Sequence, residues 1–291
     1  MDKKLVLIGC GKAGLSVALA LKGEGWEIAA CASRTQLSTQ RGMQWLACPQ
    51  LLSPGYLPHD AVLIVGVPES ALSDVDVAIA KEDLYLTNRV ILHLSGAVPS
   101  RVLEACRLRG ASVGSLHPIM ALPDPLTGAK RLRSATFAIE GRPAAVEVMK
   151  EIAQSLSGRY FTLSPRGKTL YHAACVVASN HLVALLADSQ EMLALAGADP
   201  SVAFPAFQAL VEGTVQNFYA QGPVNALTGP VERGDLETIK AHLQALKRVP
   251  QARDRYSAMA LKALELARKR HPEREEAYVT LANLLSGWHS S

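Results

Sequence analysis

Three stretches of the chain carry side chains whose types and spacing can do chemistry. The first is GCGKAG at residues 9–14, which follows the apolar run KLVLIG and leads into LSVALALKGEG, a helical pattern. Gly9 permits a tight turn, Gly11 lets the backbone approach a pyrophosphate, and Gly14 lets helix pack against strand. A helix that starts there aims unpaired N–H groups and a partial positive charge at a phosphate. Gly9, Gly11, Lys12, Ala13 and Gly14 are therefore candidate dinucleotide contacts. About 20 residues beyond the glycines, where a carboxylate would bind the ribose 2′-hydroxyl of NAD, the chain reads Ala32-Ser33-Arg34-Thr35. An arginine flanked by two hydroxyls suits a 2′-phosphate through charge-assisted bonds, so Ser33, Arg34 and Thr35 point to NADP rather than NAD.

The second stretch, GSLHPIMAL at 114–122, is an apolar run that stops at His117, because Pro118 cannot continue a strand ladder. An imidazole at a strand end can act as a general acid, or donate a hydrogen bond to an atom gaining charge; its competing role is to satisfy a loop carbonyl. The third stretch is the apolar segment around YHAACVVASNHL, 171–182. At about 100° per residue, Lys168, His172 and Ser179 fall within ~40° of one another, Asn180 lies at the margin, and His181 and Asp188 point away. Polar groups on so apolar a segment need partners. A cleft would supply them; for Ser179 and Asn180 the alternative is neighbouring backbone or a second subunit.

What must position these residues is legible in the spacing of apolar runs. Short β-branched runs alternate with helical patterns from residue 4 to about 164: KLVLIG, EIAACA, AVLIVGV, RVILHLS, SVGSLH, TFAIEG and RYFTLS. This alternation predicts βαβ units and an α/β fold, an N-terminal doubly wound, mostly parallel sheet of the Rossmann kind. Several runs are apolar on both faces, as strands covered by helices on two sides must be. Beyond Pro165 no further strand is expected. The rest reads as helices punctuated by Gly197, Asp199-Pro200, Gly222-Pro223, Asp235, Pro250 and His271-Pro272. The expected division is a nucleotide-binding domain over 1–165 and an all-helical dimerisation and substrate domain over 166–291. Ligands of such sheets gather at the carboxyl ends of the strands, which adds Val67, Pro68 and Ser95 to the cofactor contacts.

Composition narrows the function classes. The 291 residues are 49% hydrophobic and 19% charged, a soluble globular balance long enough for two domains. A net charge of +4 with scattered Lys and Arg argues against nucleic acid. Five cysteines without CxxC spacing suggest neither a disulfide framework nor a metal site, and fit a reducing cytoplasm. Lys12 and three glycines interrupt the N-terminal apolar stretch, so no signal peptide is expected. The segment 173–187 contains Asn180 and His181 and falls short of the ~20 apolar residues that span a bilayer. No membrane partner is expected.

The stretches GSLHPIMAL, FAIEG, YHAACVVASNHLVALLADSQEML and NALTGPVERGDLETIKAHLQAL resemble Rossmann-like oxidoreductases with a C-terminal helical domain of unassigned substrate. This resemblance covers nearly the whole chain. The wider group includes 6-phosphogluconate dehydrogenase, β-hydroxyacid dehydrogenases, pyrroline-5-carboxylate reductase and prephenate dehydrogenase. It implies NAD(P) binding and a homodimer formed through the helical domain. His117-Pro118 is similar to the His-Pro of prephenate dehydrogenases, whose histidine contacts the substrate hydroxyl. Ser95-Gly96 resembles the serine-containing strand end that binds substrate in β-hydroxyacid dehydrogenases. Those enzymes carry a lysine early in the first C-terminal helix and an asparagine one turn later. Here His172 stands in the corresponding region with Val176 a turn after it, which leaves the lysine role unfilled and the positioning role to Asn180. LTGPVERGDLETI resembles the substrate loop of pyrroline-5-carboxylate reductase, but Glu232, Arg233 and Asp235 depart from its small-residue pattern and suggest an acidic ligand.

The resulting expectation is a cytoplasmic, homodimeric NADP-dependent oxidoreductase. It would pass hydride between the nicotinamide and a small carbonyl, imine or alcohol in the interdomain cleft, with His117 as acid/base and Ser95, His172 and Asn180 positioning substrate. Two alternatives stand beside it: a non-catalytic NADPH-sensing dimer, and an oxidatively decarboxylating dehydrogenase of a prephenate-like acid.

Overall fold

Apolar runs bounded by turn residues form the strands, and all seven expected runs are strands in the computed structural model, which describes residues 3–53, 58–82 and 86–287. They are β1 (Lys4–Ile8), β2 (Glu27–Ala32), β3 (Val62–Val65), β4 (Val90–His93), β5 (Ser112–Pro118), β6 (Thr136–Gly141) and β7 (Arg159–Thr162). One sheet holds them in the order β2-β1-β3-β4-β5-β6-β7. Every pairing is parallel except β5 with β6, where His117 faces Ala138 and Pro118 faces Phe137 in antiparallel register. Strands β3 and β4 are buried along their whole length, because helices cover both faces.

Those helices are α1 (Lys12–Gly23), α2 (Gln36–Leu46), α3 (Leu72–Glu82), α4 (Glu104–Leu108), α5 (Pro125–Leu132) and α6 (Pro143–Ser155). Two apolar clusters result. One, with Leu5, Leu7, Leu15, Leu21, Leu92 and Phe137, lies on the α1 and α6 face; the other, with Val6, Leu63, Val65, Leu72, Ile79 and Ile91, on the α3 face. Two buried carboxylates tie the connections down. Asp76 accepts from the backbone N–H groups of Ala105 and Cys106, and Glu140 accepts from the Ser100 N–H and hydroxyl, both at 2.7 Å.

The remaining helices are α7 (Lys168–Val176), α8 (Leu182–Leu195), α9 (Pro200–Ala226, broken at Gly222), α10 (Pro230–Arg233), α11 (Leu236–Ala245), α12 (Pro250–Arg270) and α13 (Glu275–Gly287). Asp199 and Asp235 cap α9 and α11 with their carboxylates. By compactness the chain divides after His181, so α7 belongs with the sheet although the strands end at Thr162. The second unit, Leu182–Ser291, has its own core of Val231, Ile239, Leu243, Leu264, Tyr278, Leu281 and Leu285 from α10 to α13. Helix α8 contributes no buried residue to that core.

The expected single helix over 167–196 is interrupted. Val177–His181 forms a π turn between α7 and α8. Such a turn admits an extra residue and rotates the helix beyond it, so the shared face expected for Lys168, His172 and Ser179 holds only as far as Val176. The membrane expectation also changes. By length and composition the helical run Pro165–Leu195 is long and apolar enough to cross a membrane: its most apolar 18-residue window has a mean hydropathy of 1.5 and no residue buried within the chain. Counting uninterrupted apolar residues missed this, because Asn180 and His181 break the run without lowering its average enough.

Candidate active site

The glycine loop has the geometry its sequence requires. Gly9 has φ of +100°, and a Cβ there would lie 2.5 Å from the Gly66 carbonyl oxygen, while a Cβ on Gly14 would lie 2.2 Å from the Gly9 carbonyl oxygen. Side chains are thus excluded at both positions by backbone. At Gly11 a Cβ would meet no described atom nearer than 3.9 Å, so the space over the loop is open. Helix α1 begins at Lys12 with Gly11 as an N-cap that supplies no side-chain bond, which leaves its first N–H groups to an external acceptor. A pyrophosphate fits this cradle. Gly11 and Lys12 form its exposed lip beside half-buried Ala13, and half-buried Val67 and exposed Pro68 follow β3 on the adjoining edge.

Ser33, Arg34 and Thr35 sit at the carboxyl end of β2 as expected, with Arg34 exposed. Thr35 has a structural task as well, since its hydroxyl oxygen caps α2 by accepting from the Ser38 N–H at 3.3 Å. Arg41 joins this region without any signal in its sequence context. It reaches from α2 to donate to the Cys10 carbonyl at 3.1 Å and so steadies the loop between the first two glycines.

A polar group gathers at the carboxyl ends of β4 and β5. Ser95 follows β4, and its hydroxyl accepts from the Ala97 and Val98 N–H groups and donates to Glu69 at 2.5 Å. Its N–H donates to Nδ1 of His93, a fully buried ring. Burial, reinforced by the nearby Lys168 and opposed by the Pro99 backbone, pulls the His93 pKa down to about 3. On β5, the Ser115 hydroxyl donates to the Ser95 carbonyl at 3.0 Å.

Helix α7 supplies the other half of the group. Lys168 is completely buried, and its Nζ donates to the Ser115 hydroxyl at 2.5 Å. Burial lowers its pKa to about 8, against the opposing pull of Glu140 and Glu69. One turn later, His172 lies with its ring centroid 6.2 Å from that of His117 and nearly perpendicular to it. Between the two rings sits Gly96, where a Cβ would lie 2.8 Å from His117 Nε2 and 2.8 Å from His172 Cδ2. Only glycine leaves both imidazoles in place. Burial, then Lys168 and His172, depress the His117 pKa to about 4, so the ring is neutral at physiological pH. The Tyr171 hydroxyl lies 2.5 Å from His117 Nδ1.

The structure therefore brings together His117, His172 and Ser95, and adds Lys168, Tyr171, Glu69 and His93. It does not bring Asn180 to them. Asn180 is exposed on the π turn and makes no side-chain hydrogen bond among the described residues. Lys168, four residues before His172, lies on the helical face that spacing predicts for the pair, and it is buried, whereas a lysine at a helix start ordinarily faces solvent. The charged loop is also reinterpreted. The Glu232 carboxylate pairs with His271 at 2.9 Å and Asp235 caps α11, so both are spent on the second unit's own packing.

A glycine-rich helix entry at the carboxyl edge of a mostly parallel sheet defines a nucleotide-binding α/β fold, and a buried lysine with its pKa lowered to about 8 and a neutral histidine lie on the same edge. Comparison with known proteins agrees with that class. Residues 2–118 match the Rossmann-like domain, and residues 135–263 match a domain of unknown function, DUF2520. No curated protein matches the sequence. Among solved structures, a Thermotoga maritima protein is 22% identical with a TM-score of 0.73, covering 92% of this chain and 99% of its own. The reductive aminase of Aspergillus terreus, in complex with NADPH4, cyclohexanone and allyl amine, is 19% identical with a TM-score of 0.57, covering 98% and 93%. A pyrroline-5-carboxylate reductase from Coxiella burnetii is 14% identical with a TM-score of 0.59, covering 90% and 97%. These likenesses show the fold.

Proposed function

We propose that this chain is an NADP-dependent oxidoreductase acting on a small carbonyl, imine or alcohol. The observation that carries the reading is that the open glycine cradle and the His117–Gly96–His172 group lie on the same carboxyl-end edge of one sheet, where such folds bind their ligands. Structural neighbours in complex with NADPH and amine or ketone partners add support. Gly9, Gly11, Lys12, Ala13 and Gly14 hold the pyrophosphate, Ser33, Arg34 and Thr35 the 2′-phosphate, and Val67, Pro68 and Ser95 flank the ring. When bound, the dinucleotide supplies or accepts the hydride.

The chain's own residues handle the rest. His117 and His172 flank the gap over Gly96 and touch the substrate. Ser95 orders the turn after β4 through its bonds to Glu69 and to the backbone. Lys168 holds an exchangeable proton at Nζ, bonded to Ser115, which stands two residues before His117 on the same face of β5. Asn180 keeps no role in this reading. Five free thiols suit a reducing cytoplasm.

The functional unit in this proposal is a homodimer. Helices α8 and α9 expose the large apolar side chains Leu182, Val183, Leu185, Leu210, Phe218 and Tyr219, and α8 has no buried residue, the kind of surface that marks an association site. A second copy is the better cover than lipid, because Asp188 on α8 is held in a bidentate ion pair with Arg255 at 2.5 and 2.6 Å, a poor occupant of hydrocarbon. Sedimentation showing only monomer would refute the dimer.

The activity is tested by titrating NADPH and NADH against the protein by calorimetry, then following NADPH absorbance with a panel of imines, ketones and ketoacids. Tighter binding of NADPH and a turnover abolished by His117→Ala are expected. No binding of either coenzyme would end the proposal.

A further inference from the structure

The Tyr171–His117 contact carries more than the function above requires. Tyr171 lies on α7 between Lys168 and His172. Its ring meets His117 edge to face, with centroids 5.7 Å apart and planes at 79°, and Phe161 of β7 wedges its other side at 5.9 Å and 75°. The phenol oxygen is thereby fixed 2.5 Å from Nδ1, within hydrogen-bonding distance, so one of the two atoms donates to the other. Which atom donates decides what the opposite edge of the imidazole can do.

The phenol has one proton to give. Its other neighbour is the Cys175 thiol, one turn along the same helix. A thiol sulfur is a weak acceptor and an imidazole nitrogen a good one, so the O–H is best placed on Nδ1, with the thiol as a weak donor to the phenol oxygen. Nδ1 is then an acceptor, and a neutral ring must carry its proton on Nε2. Neutrality follows first from burial of the ring and then from Lys168 and His172 on α7, while the carboxylates of Glu140 and Glu69 act on Lys168.

We propose that Tyr171 is a positioning residue that locks His117 in the Nε2–H tautomer, so that the ring edge over Gly96 presents substrate with a neutral hydrogen-bond donor. The role of that donor rests on the oxidoreductase reading; the tautomer itself does not. An Nε2–H donor stabilises an oxygen or nitrogen that gains electron density without surrendering its proton. The substrate must accordingly carry an acceptor atom on the reacting carbon, and the proton it takes up must come from another group, for which this reading has Lys168 through its bond to Ser115.

Long-range proton–nitrogen correlation NMR on histidine-labelled protein tests this, with His117→Gln identifying the His117 signals. In the wild type, His117 should be protonated at Nε2 and bare at Nδ1. Tyr171→Phe should shift that ring to a mixture of tautomers while circular dichroism and the NADPH dissociation constant stay within about twofold of wild type. A ring protonated at Nδ1 in the wild type, or an unchanged tautomer in Tyr171→Phe, overturns the proposal. Turnover gives a second readout. Glutamine places an N–H where Nε2–H stands, so His117→Gln should keep kcat within roughly tenfold of wild type and His117→Asn should fall at least a further tenfold. Equal loss in both overturns the donor role. A wild type that binds NADPH and never turns over would instead count against the oxidoreductase reading, and the NMR result would stand.

Discussion

Replacing Lys168 by methionine should make the protein more stable and, at the same time, inactive. The folded-state pKa of Lys168 falls from 10.5 to about 8, so holding its charge inside the fold at neutral pH costs about 2.5 pH units. At roughly 1.4 kcal/mol per unit this is ~3 kcal/mol. Methionine has similar length and no charge to desolvate. It gives up the bond to Ser115, whose hydroxyl still donates to the Ser95 carbonyl, and it leaves Glu140 with both of its Ser100 bonds. The net gain should be about 1–3 kcal/mol.

Its pH dependence distinguishes this account from simple repacking. Between the folded pKa of about 8 and the unfolded value of 10.5 the unfolded chain binds more protons than the native one, so wild-type stability rises with pH across that window. The advantage of methionine should be full below the lower value and fade by the upper. Urea unfolding followed by far-UV circular dichroism and tryptophan fluorescence, at neutral pH and near pH 10, measures both terms. A variant less stable than wild type at neutral pH, or a gap that does not change with pH, would refute the reasoning. Undiminished turnover would remove Lys168 from the proton pathway.

On the acid side, His117 and His93 are held neutral by burial, with pKa values near 4 and 3, so the stability present above about pH 6.5 should be lost as pH falls towards those values; His93→Gln should flatten that limb of a urea midpoint-against-pH curve. Arg34→Ala should weaken NADPH by roughly ten- to hundredfold and leave NADH within a factor of two, read by calorimetry, and equal losses for both coenzymes would move the 2′-phosphate elsewhere. Gly96→Ala puts a methyl group 2.8 Å from both imidazoles, so kcat should drop at least tenfold with the NADPH dissociation constant unchanged.

The sheet was readable because runs such as AVLIVGV and RVILHLS are apolar on both faces, and burial between two helical layers demands that pattern. The reversed direction of β6 was not, since TFAIEG has the same composition whichever way it pairs. His117 stood out because a proline follows it, although the ladder does not stop there: Pro118 pairs with Phe137, and the Ile119 N–H donates to the Thr136 carbonyl. His93 did not, because it sits inside an otherwise apolar strand and reads as part of it. Asn180 was misplaced for a definite reason: helical-wheel reasoning assumes one pitch, and the π turn changes the phase at the residues concerned. Tyr171 had no signal at all. An aromatic residue in an apolar helix ordinarily packs, and only coordinates reveal that its hydroxyl meets an imidazole.

The border between the two matched families does not follow the architecture. The first match stops at Pro118, the last residue of β5, and the second starts at residue 135, so β6, β7 and α7 all come from the segment assigned to the domain of unknown function. Cutting there would strip β5 of its antiparallel neighbour and leave a bare, apolar sheet margin prone to self-association. It would also part His117 from the tyrosine and lysine that condition it. Neither half, expressed by itself, can report on what the whole chain does.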